Sequence, residues 1–277
     1  IMEFIGVDIG GTNIKAGNVV DGKILKKHSI AVNRESSEEK ILNDLFLCID
    51  QVITNKSQKI GVGVPGIVDP SAGIVYDIQN IPSWKEVPLT EIISQHYNLP
   101  VFINNDANCF AMGEKLFGIG KHFMNFIGLS LGTGVGMGIV INGKLYNGVL
   151  CGAGEIGMLP YKEGILEEFT GSFFFQNRVG GSAKKNYELA LVGDQDALEV
   201  FKDYGYHIGE LIKIILYLYA PETIIIGGSI SKAYPFYKDM VESSLKTFPY
   251  PKQLEGFQIN ISQQSDTAIL GAAALCV

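Results

Sequence analysis

The stretch Phe4-Ile-Gly-Val-Asp8-Ile-Gly10-Gly11-Thr12 is an apolar strand that runs into a glycine- and threonine-containing turn, and it has a second copy. The copy is Phe126-Ile-Gly-Leu-Ser-Leu-Gly132-Thr133-Gly134. Each continues into a second apolar strand and then into an Asp-Gly or Asn-Gly turn, at residues 21–22 and 142–143, which favours a tight hairpin. The repeated hairpin predicts two lobes of similar design, each beginning its own sheet.

Other strands and helices alternate along the rest of the chain. Strands are predicted at residues 60–65, 101–105, 223–226 and 257–261. Helices are predicted after a capping box at Ser36–Glu39, over Tyr204–Tyr219 and over Ala268–Val277. The second of these carries apolar residues on nearly every face, which is typical of a buried helix between lobes. This alternation predicts an α/β protein with lobes at residues 2–120 and 121–277, the C-terminal helix packing back on the first lobe.

The composition excludes several classes of function. The chain has 277 residues, of which 47% are hydrophobic, and a formal net charge of −7. We therefore expect no attraction to nucleic acid or to anionic lipid. The apolar runs are too short to span a membrane, so no membrane association is expected. Four cysteines without any CxxC pair favour a cytoplasmic protein without a disulfide framework.

The first turn has the groups needed to hold a phosphate. Gly10 and Gly11 have unhindered backbone N–H groups, and Thr12 adds a hydroxyl donor. Lys15 adds positive charge, and the carboxylate of Asp8 suits Mg²⁺ or its water ligands. For such a turn taken alone, a tight hairpin with nothing bound is an equally good interpretation.

The second turn, Gly132-Thr133-Gly134, differs from a dinucleotide fingerprint. Its glycines recur at every second residue and a strand follows, whereas GxGxxG requires a helix. Two opposed Gly/Thr turns instead suit a clamp on a triphosphate, which predicts ATP rather than NAD. A side chain introduced at Gly11 or Gly134 is therefore expected to weaken nucleotide binding far more than the binding of a second substrate.

Six segments resemble the ordered motifs of the ROK family of sugar kinases, over essentially the whole chain from Glu3. They read Asp8-Ile-Gly-Gly-Thr-Asn-Ile-Lys15, Gly61-Val-Gly-Val-Pro-Gly-Ile-Val-Asp69, Asn104-Asn-Asp-Ala-Asn108, Leu131-Gly-Thr-Gly-Val-Gly-Met-Gly138, Gly154-Glu-Ile-Gly157 and Ile226-Gly-Gly-Ser229. The resemblance implies two actin-like, RNase H-like lobes closing over ATP and a sugar, with Mg²⁺ required. It also implies that Gly227 and Gly228 contact the nucleotide, and it leaves a homodimer open.

The expected reaction is ATP-dependent phosphorylation of a hexose or N-acetylhexosamine hydroxyl. Asp106 follows a strand and opens a helix, where a negative charge is favoured, and it can accept the proton of an attacking hydroxyl. Asn105 offers a donor and an acceptor to neighbouring sugar hydroxyls. By resemblance Asp106 is the catalytic base and Asn105 a sugar ligand. A plain helix cap is the alternative for Asp106.

Further sugar contacts are implied by the resemblance. Glu155 matches the first residue of an ExGH motif, and Glu167 matches the glutamate after a zinc-binding loop, although adjacent Glu168 is also a candidate. Solvent-exposed charge is the alternative for these glutamates. Gly66 matches a backbone position that lines the sugar, and Asn80 or Gln79 is expected to reach it.

The chain departs from the family at the zinc loop. Met158 stands where the family has histidine, and residues 159–165 contain no cysteine or histidine. Structural zinc needs four nitrogen or sulfur ligands, so we expect no zinc, and the identity of the sugar stays open. The four histidines lie outside the motifs and are expected at the surface or in helix packing; they are His28, His96, His122 and His207.

Two other functions remain as alternatives. Some ROK proteins are sugar-responsive repressors, but those carry a helix-turn-helix before the first turn, whereas here the first strand is predicted from Glu3. A sugar-binding module without turnover is the second alternative, and the missing zinc loop favours it. Retention of Asp8, Thr12, Asp106 and Thr133 favours the kinase.

Overall fold

The computed structural model describes residues 2–10, 12–78, 81–264 and 266–277, and in these it has strands and helices in alternation. The strands are β1 (Glu3–Ile9), β2 (Asn13–Val20), β3 (Lys23–Ala31), β4 (Lys59–Val64), β5 (Ile67–Asp69), β6 (Ile74–Tyr76), β7 (Glu86–Val87), β8 (Val101–Asn105), β9 (Phe126–Leu131), β10 (Val135–Ile141), β11 (Lys144–Leu145), β12 (Pro160–Tyr161), β13 (Gly164–Ile165), β14 (Thr223–Gly227) and β15 (Gln258–Ile261). The helices are α1 (Glu38–Asp50), α2 (Leu89–Tyr97), α3 (Asp106–Phe117), α4 (Leu166–Thr170), α5 (Phe173–Val179), α6 (Ala183–Leu191), α7 (Gln195–Tyr219), α8 (Tyr234–Leu245), α9 (Pro251–Leu254) and α10 (Thr267–Ala274).

Two five-stranded sheets have the same strand order. The first is β3-β2-β1-β4-β8 and the second is β11-β10-β9-β14-β15. In the first, β1, β4 and β8 run parallel, and in the second, β9, β14 and β15 run parallel. The repeated hairpin therefore begins each sheet, and this prediction from the sequence is confirmed.

The tight turns of the two hairpins also match. Asp21 and Gly22 have φ values of 48° and 75°, and Asn142 and Gly143 have values of 52° and 74°. Left-handed backbone at both central residues is the type I′ geometry that suits the twist of paired strands. This explains why both hairpins turn on Asp-Gly or Asn-Gly.

The chain divides into two compact units, neither of which is one continuous segment. The first contains residues up to His122, with 138–153 and 263–277, and the second contains 123–137 and 154–262. The core of the first unit packs α1 on its sheet through buried side chains such as Ile14 and Leu45. In the second unit α7 packs on α8. No helix in the described parts of the chain is both long and apolar enough to cross a membrane.

The C-terminal helix α10 lies in the first unit, where it packs on α3, β1 and β4. Two strand glycines make this close approach possible. A Cβ atom at Gly6 would collide with the carbonyl oxygen of Ile269, and one at Gly61 would collide with that of Ala272. These glycines therefore serve helix packing, although Gly61 is also the first residue of one of the six motifs.

Three helix predictions need correction. Helix α10 ends at Ala274, three residues before the predicted end at Val277. The N-cap of α1 is Ser37, whose Oγ accepts a hydrogen bond from Lys40 N, so the cap lies one residue later than the predicted cap Ser36. Helix α7 starts at Gln195 and is not buried on all faces, because Tyr206 and Tyr217 are 42% and 55% exposed. The tyrosines and leucines that suggested complete burial include residues on its exposed face.

Candidate active site

In the first unit, the parallel strands bring several predicted site residues to one sheet edge. Asp8 on β1 is paired with Gly63 on β4, and Gly63 is paired with Asn104 on β8. Gly66 lies just beyond the end of β4, and Asp106 just beyond the end of β8. Loops that follow the carboxyl ends of parallel strands are the usual location of ligand sites in α/β sheets.

The junction between β8 and α3 separates the roles of two adjacent residues. The helix cap is Asn105, whose Oδ1 accepts hydrogen bonds from the N–H groups of Ala107 and Asn108 at 2.9 and 3.4 Å. Its Nδ2 donates to the carbonyl oxygen of Gly66 at 3.2 Å, and the residue is only 7% exposed. Asn105 is thus largely engaged by the protein itself, which the sequence did not predict.

Asp106 is the first residue of α3 and is exposed. Its Oδ1 accepts a hydrogen bond from Ala107 N at 2.8 Å. A carboxylate here is favoured by the positive end of the helix dipole. The alternative that Asp106 is the cap residue does not hold, because Asn105 has that position.

A network of buried asparagines that the sequence did not reveal fixes this junction. Asn104 Oδ1 accepts from Asn105 N at 2.8 Å, from Asn108 Nδ2 at 3.0 Å and from Cys151 Sγ at 3.1 Å. Asn147 Oδ1 accepts from the side-chain amides of both Asn104 and Asn108 at 3.3 Å. The network thus ties the strand end and the helix to the loop that contains Asn147 and Cys151.

That loop has an unfavourable backbone conformation. Leu150 and Cys151 have φ values of 51° and 57°, a region that residues other than glycine rarely adopt. Such strain persists where surrounding contacts impose it, and the hydrogen bond from Cys151 to Asn104 is one of these contacts.

Asp8 and Lys15 face each other across the first hairpin. They are directly paired between β1 and β2, and Lys15 Nζ lies 3.9 Å from Asp8 Oδ2. Burial raises the pKa of Asp8, and the charge of Lys15 partly offsets this. The turn is closed by the hydrogen bond from Gly10 N to Asn13 O, and Thr12 is exposed. Gly11 lies outside the described residues.

Asp8 is a reasonable ligand for the magnesium of Mg–ATP. Its side chain is 18% exposed, and Mg²⁺ in kinases typically needs one or two carboxylates, the remaining ligands being water and phosphate oxygens. Among the described residues there is no cluster of three or more metal-binding side chains.

Gly66 has a conformation and surroundings that suit a residue lining an open space. Its φ is +86°, and nothing in the described chain lies within 4 Å of the position that a Cβ atom would occupy. The predicted sugar contact Asn80 and its alternative Gln79 lie outside the described residues.

In the second unit, two glycine turns lie side by side at the ends of β9 and β14. Ser130 is paired with Gly227, and Gly228 has φ +82°. A Cβ atom at Gly132 would lie 3.9 Å from Ser229 Oγ. Ser172 fixes the first turn, because its N–H donates to Gly132 O at 2.9 Å and its hydroxyl to Thr133 O at 3.2 Å. The Thr133 residue itself is exposed.

The structure distinguishes the two adjacent glutamates of α4. Glu167 Oε2 accepts a hydrogen bond from Val135 N at 2.9 Å, so this carboxylate lies against the second glycine turn. Glu168 instead accepts from Ile165 N at 3.2 Å and closes the start of its own helix. A Cβ atom at Gly134 would collide with the Glu167 carboxylate. The carboxylate of Glu167 therefore lies directly beside Gly134 in the glycine turn.

Glu155 is close enough to Glu167 for their charges to interact. The Glu155 residue is exposed overall, but partial burial of its carboxyl raises the pKa, and the charge of Glu167 raises it further. Met158, three residues later, is 47% exposed, and its N–H donates to the carbonyl oxygen of Glu155 at 3.2 Å. The second unit thus contains Glu155 and Glu167 together with the glycine turns at Gly132–Gly134 and Gly227–Gly228.

Comparison with known proteins gives a consistent result over the whole chain. The model of the ROK family matches residues 4–277. A glucokinase of Thermotoga maritima is 30% identical over 99% of this chain and 97% of its own length. A xylose repressor of Bacillus spizizenii is 29% identical over 99% of this chain but only 76% of the repressor.

The fold is likewise that of known family members. The crystal structure of a ROK family glucokinase from Streptomyces griseus, in complex with glucose and AMPPNP, superimposes with a TM-score of 0.83. It is 27% identical and covers 99% of this chain and 98% of its own. The mixed α/β architecture with two actin-like sheets is the ROK sugar-kinase fold. The chain belongs to the ROK family.

Proposed function

We propose that this protein is an ATP-dependent sugar kinase that phosphorylates a hydroxyl of a hexose or an N-acetylhexosamine. The observation that carries the proposal is the exposed carboxylate of Asp106 at the start of α3, next to Asn105, which has the capping role. The whole-length likeness to glucokinases supports the enzyme class.

In the proposed reaction, Asp106 accepts the proton of the sugar hydroxyl as its oxygen attacks the γ-phosphorus. The bond from the γ-phosphorus to the bridging oxygen breaks, and ADP leaves with the electron pair. The backbone of Gly66 and the remaining donor of Asn105 orient the sugar. Glu155 and Glu167 accept hydrogen bonds from other hydroxyls of the sugar.

The nucleotide is proposed to be held by backbone groups. The turns at Gly10–Thr12, Gly132–Gly134 and Gly227–Gly228 offer N–H groups and hydroxyls to phosphate and ribose oxygens. Lys15 adds positive charge beside the first turn. Asp8 would hold Mg²⁺ or its waters, and that ion supplies neutralisation of the charge on the β- and γ-phosphates.

A regulatory or sugar-binding role without turnover is the second candidate. Met158 in place of the family histidine favours it, because the sugar then has one fewer hydrogen-bonding partner. The likeness to xylose repressors is compatible with the same role. In that case sugar would bind without consumption of ATP.

A panel of hexoses and amino sugars separates the two candidates. ADP release is measured for each sugar with wild-type protein and with Asp106→Asn, and sugar binding is measured by calorimetry. Sugar-dependent ADP release that Asp106→Asn abolishes is the expected result. Sugar binding without ADP release for any member of the panel would favour the second candidate.

A further inference from the structure

The segment between Met158 and α4 forms a small hairpin that is anchored on α7. Strands β12 and β13 pair through Pro160 with Ile165 and through Tyr161 with Gly164. The hydroxyl of Tyr161 lies 3.1 Å from Nδ1 of His207 on α7. The Tyr161 ring also contacts Phe169 of α4 edge-on, with 5.2 Å between the ring centroids. Tyr161 thus joins the hairpin to two helices.

His207 is in an unusual environment for a histidine. Its side chain is 4% exposed, and it lies among the rings of Phe169 and Phe174, with centroid distances of 5.1 and 5.6 Å. Burial lowers the pKa of His207 to about 4, so the imidazole is neutral at physiological pH. With its proton on Nε2, which lies 3.9 Å from Asp203 Oδ1, the neutral ring can accept a hydrogen bond from the Tyr161 hydroxyl at Nδ1.

Other charged groups around His207 act in both directions. Lys162 and Arg178 disfavour its protonation, whereas Asp203 and Glu210 favour it. These opposed charges leave burial as the dominant cause of the low pKa. Neutral His207 can therefore accept the hydrogen bond from Tyr161 at neutral pH.

Helix α4 depends on such contacts for its position. It is only five residues long, and an isolated helix of this length is not stable. Its ends are tied down by Leu166 N to Leu159 O at 3.0 Å and by the Tyr204 hydroxyl to Thr170 O at 2.6 Å. Its second residue, Glu167, accepts a hydrogen bond from Val135 N at 2.9 Å. Any shift of α4 moves this carboxylate.

We propose that Tyr161 and His207 are positioning residues that hold Glu167 in place for sugar binding. They act through the hairpin and Phe169, which lies two residues after Glu167 on α4. The inference rests on the proposed sugar contact of Glu167. Residues 154–171 contain no cysteine or histidine, so within this segment packing and hydrogen bonds have to provide the rigidity.

The test compares sugar dissociation constants measured by calorimetry. Tyr161→Phe keeps the ring contact with Phe169 and removes only the hydroxyl. We expect it to raise the sugar Kd about three- to tenfold, the loss typical of one neutral hydrogen bond, with a smaller effect on kcat. His207→Leu should have the same effect, and His207→Gln should restore part of the affinity. Tyr187→Phe, whose ring packs on Phe236 in the same unit, is the matched control.

A double-mutant cycle shows whether the effect passes through Glu167. In a Glu167→Gln background, Tyr161→Phe should cause little further loss of affinity, because the positioned carboxylate is already absent. Additive losses, or a Kd for Tyr161→Phe equal to that of the Tyr187→Phe control, would overturn the inference. If wild-type protein binds sugar without turnover, only the kinase proposal is overturned. The comparison of sugar Kd values still tests the positioning role of Tyr161 and His207. Absence of sugar binding would overturn both.

Discussion

Asn105 and Asp106 are neighbours in sequence but differ in how far the protein itself uses them. Asn105 is buried and its amide bonds three backbone groups, whereas Asp106 is exposed at the first position of α3. A polar residue at a helix start is most often a cap, and here that requirement is met by Asn105. This division of roles favours a role for Asp106 as the proton acceptor in catalysis.

Asp106→Asn is expected to lower kcat by at least about 100-fold, because the amide cannot accept the proton of the hydroxyl. The sugar Kd should change little, since an amide oxygen still accepts a hydrogen bond. The measurement is steady-state kinetics together with calorimetry. Asp196→Asn is the control, because Asp196 is also an exposed aspartate in the first turn of a helix. Near-normal turnover of Asp106→Asn would show that Asp106 is not the base.

Glu155 provides a prediction about pH and stability. Its pKa is raised in the folded protein, so folding favours the protonated carboxyl. The ionised carboxylate therefore lowers the free energy of unfolding above the folded pKa, and this penalty vanishes below the ordinary pKa, where folded and unfolded chains are both protonated. Glu155→Gln should raise the Tm at about pH 7.5 and change it less at about pH 4.

The same substitution should weaken sugar binding, because the amide replaces a charged acceptor. Thermal unfolding at both pH values and calorimetry with the best sugar measure the two effects. Glu163→Gln, an exposed glutamate in the same segment, is the control. A Tm difference that is equal at both pH values would contradict the assignment of the penalty to Glu155 ionisation.

At the scale of elements, the sequence predicted strands and hairpins better than the limits and faces of helices. The Gly/Thr turns and the Asp-Gly and Asn-Gly turns are local signals, and both hairpins form as predicted. Whether Tyr206 or Tyr217 is covered depends on other elements packing on α7, which no local pattern contains. The asparagine network was missed for the same reason, because Asn104 and Asn147 come from distant parts of the chain.

The carboxylate of Glu167 beside the second glycine turn changes the effect expected from a substitution at Gly134. Gly134→Val was expected to affect nucleotide binding and to spare the sugar. Because a side chain there collides with Glu167, we now expect it to raise the Kd of both ligands, each by about tenfold or more, since it displaces a charged hydrogen-bonding group.

Gly132→Ala tests this explanation within the same turn. The nearest atom to its new methyl group would be Ser229 Oγ at 3.9 Å, which is an ordinary contact. Gly132→Ala should therefore leave the sugar Kd unchanged, whether or not it raises the Kd of ATP. Calorimetry with sugar and with a non-hydrolysable ATP analogue measures both. A normal sugar Kd for Gly134→Val would contradict the expectation that displacement of the Glu167 carboxylate weakens sugar binding.

At the scale of the whole molecule, the duplicated sheet was predictable and the division into units was not. The repeat is visible in the sequence because both copies need the same strand, turn and hairpin. Residues 138–153 lie in the first unit, where Asn147 and Cys151 form hydrogen bonds with Asn104 and Asn108. Such long-range pairing has no periodic signature.

The metal requirement also concerns the whole molecule. All four cysteines are buried, and burial raises the thiol pKa of Cys48 to about 11 and that of Cys276 to about 12. Thiols must lose their proton to bind zinc, so these are poor ligands in the folded protein. We therefore expect the purified protein to carry far less than one zinc per chain, measured by elemental analysis.

Magnesium should nevertheless be essential, because the β- and γ-phosphates must be neutralised during transfer. Treatment with a zinc-selective chelator should leave the Tm and kcat unchanged, whereas removal of Mg²⁺ should abolish ADP release and its return should restore it. Asp8→Asn should raise the Mg²⁺ concentration needed for half-maximal rate, while Asp21→Asn, in the turn between β2 and β3, should not. About one zinc per chain, or loss of activity that only zinc restores, would contradict the expectation. An unchanged Mg²⁺ requirement in Asp8→Asn would remove Asp8 from the magnesium site and leave its buried carboxyl paired only with Lys15.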